Sequence, residues 1–272
     1  FGGAPIFTEV VLPNTLTYIG DGAFLGCEKL STITIPESVS SIGDYTFAYC
    51  IELDTVVLPS TVERIGLYTF AGCEWLETIN LEYIKEVSDY AFTSCVYLEN
   101  VNLTSVETIG EAAFADTSVK TNLIMNNLTT VKDYAFQGAK FESITALNLT
   151  EIGYAAFQNC TELVKITANS TDIELGDYAF YRCESLKSIN IPSSVQSIDE
   201  GTFYNCNELH TVAFEENSKL IAIAKEAFYN CSKLVNIVLP DNTRIIEQKA
   251  FNFFRMTYKY SQIMSPKCIC FK

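Results

Sequence analysis

The chain has 272 residues, 48% hydrophobic and 19% charged, which supplies apolar material for a continuous core and excludes a disordered chain. Lys and Arg number 18 against 33 Asp and Glu, and the resulting charge of −15 repels phosphate backbones and anionic bilayers. No nucleic-acid partner is therefore expected, and an electrostatic partner should carry a basic patch. No apolar run reaches the roughly 20 residues that span a bilayer, so this segment predicts no direct membrane insertion. The sequence starts at Phe1 without a Met, so a leader upstream would not be visible in it.

In chain order, the first apolar positions are Phe7, Val10 and Leu12, followed by Pro13, which together read as half of a repeating phrase. The phrase then recurs in full, marked by a Phe at 24, 47, 70, 92, 114, 136, 157, 180, 203, 228 and 251. The spacings are 23, 23, 22, 22, 22, 21, 23, 23, 25 and 23 residues, a period that belongs to solenoids. Five residues before each Phe stands an aliphatic side chain, from Ile19 to Ile246. Three residues after it stands Cys in eight repeats: Cys27, Cys50, Cys73, Cys95, Cys160, Cys183, Cys206 and Cys231. In the same eight repeats a Leu lies three residues further on.

Two alternating apolar positions follow, as in Ile33/Ile35, Val56/Leu58, Ile79/Leu81, Val101/Leu103, Ile189/Ile191 and Ile237/Leu239. Inward aliphatics separated by one small polar residue predict a short half-buried strand, and strands one repeat apart must run parallel. Pro at 36, 59, 192 and 240 turns the chain after the strand. Gly43-Asp44, Gly110-Glu111 and Gly176-Asp177 mark a second turn, whose acid is expected to cap a short helical turn carrying the Phe.

The prediction is an α/β solenoid of about 11 repeats over residues 1–254. Parallel strands line the concave face; short helical turns and irregular or short β segments line the convex face. Residues 255–272 are expected to form a cap or tail. Around Phe114 and Phe136 the pattern slips: Thr117 and Ala139 replace the Cys, Val119 and Phe141 take the Leu role one residue early, and Leu123–Met125 reads in two registers. A local irregularity in curvature is expected there.

The phrase resembles that of the BspA-like leucine-rich repeats, approximately LPxxVxxIGxxAFxxCxxLxxIxI, which residues 36–58 and 59–81 follow almost position for position. The resemblance covers about Phe7 to Phe251. It implies a secreted or cell-surface protein of bacteria or parasitic protists such as trichomonads, used in adhesion and binding host or extracellular-matrix protein.

The chemistry expected of the residues is sparse. Cys at equivalent positions would lie about 4.8 Å apart, whereas a disulfide wants Cβ atoms near 3.8 Å, so the ladder reads as free buried thiols. Cys268 and Cys270 form a separate CxC whose role stays open between an unbridged pair, a bridge within a cap and lipid modification. His210 is the sole His, which removes most nucleophilic triads. No phosphate-binding glycine loop is present, and no catalytic residue, metal ligand or cofactor is expected. Trp75, the sole Trp, stands just before a core Leu as a possible binding anchor.

Six N-x-S/T triplets, at Asn102, Asn127, Asn148, Asn159, Asn169 and Asn230, offer possible glycan attachment if the protein is secreted by a eukaryote. The candidate binding surface is the outward face of the first strands. It comprises Thr32, Thr34, Thr55, Val57, Thr78, Asn80, Asn100, Asn102, Lys165, Thr167, Ser188, Asn190, Thr211 and Asn236. Short uncharged hydrogen-bonding groups suit either a ladder that stabilises the sheet or a weak, multivalent protein contact. The expected function is non-enzymatic recognition or adhesion at the cell surface; a structural spacer and an intracellular protein-interaction scaffold are the alternatives.

Overall fold

The inward residues of every repeat meet in one column. In the computed structural model, which describes residues 2–3, 7–168 and 173–252, the eleven Phe anchors stack ring on ring along the axis. Their centroids are 5.1–5.7 Å apart with interplanar angles of 2–14°. These separations fall in the roughly 4.5–7 Å range of offset aromatic stacking. Around the column lie the buried Cys, Leu and paired aliphatics, one hydrophobic core running from Ile19 to Ala250.

Most rungs cross two short parallel ladders; the expected first strands at Val101/Leu103 and Ile237/Leu239 do not pair. The first ladder contains Thr32–Thr34, Thr55–Val57 and Thr78–Ile79, then Leu123–Ile124, Ser143–Thr145 and Lys165–Thr167, then Ser188–Ile191 with Thr211–Phe214. Its register places Thr32, Thr55 and Thr78 side by side. Between its sections Val101 and Leu103 point inward as the alternation predicts, although no strand pairing forms there. The second ladder has as its longest section six strands: Arg64–Ile65, Glu86–Val87, Thr108–Ile109, Thr130–Val131, Glu151–Ile152 and Glu174–Leu175.

The expected helical turns are absent: no helix occurs among the described residues. In their place is a tract of overlapping turns with left-handed residues two before and two after the Phe, such as Tyr45 (φ 57°) and Tyr49 (φ 59°). This geometry splits the backbone donors. Alternate N–H groups close turns within the rung, as Ala48 to the Tyr45 carbonyl (3.2 Å) and Cys50 to that of Phe47 (3.1 Å). The others point along the axis, as Tyr45 to Leu67 (2.8 Å), Phe47 to Thr69 (2.8 Å) and Tyr49 to Ala71 (2.7 Å). The physical reason is thickness. An α-helix is roughly 10 Å across with its side chains, twice the spacing at which these rungs stack, and beyond its first turn it would spend its donors internally.

The acids follow the same logic. Rather than capping a helix, the Asp44 carboxylate accepts the Leu67 N–H one rung further on at 2.9 Å, and Asp89, Asp133 and Asp177 accept those of Glu111, Tyr154 and Glu200. The glycine that faces such an Asp from the next rung is required by this close approach. A Cβ at Gly43 would lie 2.3 Å from the Asp21 carboxylate and 2.5 Å from its backbone N.

Where the sequence pattern slips, the core closes with different residues. Val119 and Phe141 are buried in the Leu place, and the Phe141 ring stands edge-on to Phe136 (5.4 Å, 89°) and to Phe157 (6.3 Å, 84°). The two-register question resolves with Leu123 and Met125 inward and Ile124 outward. The half phrase at the start is in place, with Glu9 bridged to Thr32.

Candidate functional site

The ladder of Cys is the most reactive-looking chemistry in the chain, and its geometry makes it inert. All eight thiols are free and buried. Seven donate S–H to the carbonyl of the Phe one rung back, from Cys50 to Phe24 (3.1 Å) through Cys231 to Phe203 (3.0 Å). Those carbonyls also accept the N–H that closes their own turn, as Cys27 N to Phe24 O. The thiol is therefore a small apolar group with one weak donor, matched to the second lone pair of a buried carbonyl. Thr117 stands where the Cys is missing, and its buried hydroxyl donates to the Phe114 carbonyl at 2.8 Å. Burial raises the pKa of the seven thiols from Cys50 to Cys231, to about 12 at Cys50 and Cys231. A thiolate nucleophile is thereby suppressed.

Elsewhere, among the described residues, His210 and the acids stand apart from one another's chemistry. His210 lies exposed, its Nδ1 3.0 Å from the Thr211 hydroxyl. Among the described residues no three His, Cys, Asp or Glu side chains are placed to hold a metal ion. Tyr90 donates to the Glu111 carboxylate, which with burial raises its pKa to about 12, but this pair belongs to a stacked column with Tyr68 and Tyr45 (4.7 and 5.0 Å).

Each candidate residue of the outward face is exposed or half-buried. Not all are free. Asn80 spends both ends of its amide on Leu58, donating to its carbonyl (2.9 Å) and accepting its N–H (2.7 Å). Asn100 accepts from Thr121 (3.0 Å), and Asn190 donates to Glu215 (3.1 Å). Thr32, Thr55 and Thr78 form one continuous row, and Ser143 and Thr145, in register with Lys165 and Thr167, extend the face one rung beyond Leu123–Ile124, whose register was ambiguous in sequence.

The possible glycan acceptors differ. Asn127, Asn148 and Asn230 direct their amide nitrogens into neighbouring rungs, and Asn159 sits at a left-handed turn position. Asn102 is exposed, and its carbonyl oxygen takes the Thr104 hydroxyl at 2.9 Å. Asn169, Cys268 and Cys270 lie outside the described residues, as does the expected cap.

Sequence order did not reveal a corner of large apolar side chains between the turn tract and this face. Trp75 is exposed as a possible anchor requires, and Tyr49, Val96 and Tyr97 are exposed on adjoining rungs. The signal that could have found the pair is the repeat register, since Trp75 and Tyr97 both stand five residues past a Phe.

Short parallel ladders, a stacked Leu-type core and one rung per phrase define a leucine-rich-repeat solenoid. The family model of the BspA type leucine rich repeat region, in six copies, matches residues 1–120 and 129–257, and the chain belongs to that family. Among solved structures it is similar to a leucine-rich repeat protein of Bacteroides ovatus, with 26% identity and a TM-score of 0.52 over 85% of this chain and 76% of that one. A leucine rich cell surface protein of Faecalibacterium prausnitzii matches with 21% identity and a TM-score of 0.56, covering 86% and 83% of the two chains. A leucine-rich repeat protein of Eubacterium ventriosum shares 22% identity with a TM-score of 0.53, over 95% and 85%. No match was found among the curated proteins.

Proposed function

We propose that the chain is a non-enzymatic recognition protein of the cell surface or extracellular space, binding host or matrix protein through the outward face of its first ladder. The observation that carries this reading is the row Thr32, Thr55 and Thr78: exposed or half-buried hydroxyls in strict register on a backbone whose donors and acceptors are already paired. A face of this kind offers many equal, short-range hydrogen-bonding groups and no pocket, which suits an extended protein ligand bound by repetition. The family, and the likeness to a bacterial protein described as a cell surface protein, support the surface address. No helix among the described residues is long and apolar enough to cross a membrane.

The test is saturable binding of the purified chain to immobilised extracellular-matrix proteins and cultured cells, compared with Thr55→Lys/Thr78→Lys. Binding should fall at least tenfold while the melting curve stays unchanged. Absence of saturable binding, or equal binding by the double variant, would overturn the reading.

A further inference from the structure

Three large exposed apolar side chains stand on successive rungs, between the Phe of the turn tract and the first ladder. Trp75 is 54% exposed, Tyr97 54%, Tyr49 58%, and Val96, next to Tyr97 in the chain, 41%. The Trp75 N–H donates to the Ile51 carbonyl and the Tyr97 N–H to that of Glu74, both at 3.1 Å, so these residues sit on successive rungs. Gly72 leaves room for the Tyr49 ring, since a Cβ there would lie 2.7 Å from it. At the same position the preceding pair, Lys29 and Glu52, forms a surface ion pair, the ordinary occupant of such a site. Exposed aromatic clusters of this kind are enriched where proteins bind partners.

We infer that this corner is a second docking site, for a basic protein segment that inserts an apolar side chain and lays an Arg over Trp75. The inference rests on the recognition reading of the chain but not on the threonine face. Charge selects the occupant. Glu28, Asp54, Glu74 and Glu77 lie on the same and neighbouring rungs, are exposed, and form no ion pair among the described residues. A second copy would bring the same acids against themselves, and an anionic bilayer would be repelled; an Arg-bearing segment gains both the acids and the ring face.

The sole Trp makes the site its own reporter. A synthetic peptide of alternating Arg and Leu, titrated at physiological salt, is expected to shift Trp75 emission to the blue and saturate. With the peptide dye-labelled and followed by anisotropy, Trp75→Ala/Tyr97→Ala should weaken binding at least tenfold. Both side chains are more than half exposed, so the thermal midpoint should not move. Equal affinity for wild type and double variant would reduce the binding to charge alone and overturn the inference. Equal binding of a Glu/Leu peptide, or dimerisation that the double variant abolishes, would do the same. Failure to bind matrix or cells counts against the function proposed above and leaves this titration standing.

Discussion

At the scale of single residues, buried polar matching explains choices that hydrophobicity alone does not. Cys recurs because its thiol fills a small inner space and still offers a donor to a Phe carbonyl. Native protein at pH 8 should therefore show none of the eight ladder thiols reacting with a disulfide reagent, and all of them after denaturation in guanidinium. Fast reaction of the folded chain would contradict the burial. The Asp bracket is equally local. Asp133 accepts the Tyr154 N–H at 2.7 Å, so Asp133→Ala should cost about 1 kcal/mol in chemical denaturation and Asp133→Asn, which keeps an acceptor, less. Both devices were only half legible in sequence: spacing marks the residue, but its hydrogen-bond partner lies on another rung.

At the scale of the rung, the strands were readable because period-two alternation maps directly onto inward and outward positions. The turn tract was misread because Gly-Asp before Ala-Phe is also how a helix begins. What decides between them is the rung spacing, a property of the stack that no single phrase contains. Positive φ at Tyr45, Tyr68, Tyr90, Tyr134 and Tyr178 had no sequence signal, since Tyr seldom adopts it. The Phe column is the element that cannot be thinned. Phe114, fully buried between Phe92 and Phe136 at 5.1 and 5.4 Å, should cost about 3–5 kcal/mol as Phe114→Ala, read by denaturant unfolding.

At the scale of the molecule, charge and protonation set the conditions for stability. The net charge of −15 repels itself over distances that salt screens, while the ion pairs are close contacts at the surface and contribute little each. Raising NaCl from about 10 mM to 0.15 M, which shortens the screening length from roughly 30 to 8 Å, should therefore raise the melting temperature. Alkali acts the other way. Folded Cys50, Cys231 and Tyr90 hold their protons to about pH 12, above the ordinary values of 9.0 for Cys and 10.0 for Tyr. Between those values the unfolded chain releases protons that the folded chain keeps, so stability should decline as pH rises through 9 to 12. A pH series of denaturation midpoints checks the sign.

The axis-directed bonds of the turn tract also have a mechanical meaning. The hydrogen bonds that join one rung to the next, in the two ladders and in the turn tract, run along the axis, so a pull applied between the two ends loads them one interface at a time, as a zip is opened. A rung of about 23 residues then lengthens the tether by roughly 70–80 Å as it comes free. Under flow, such a molecule would yield rung by rung at modest force, absorbing extension while the remaining rungs kept their shape.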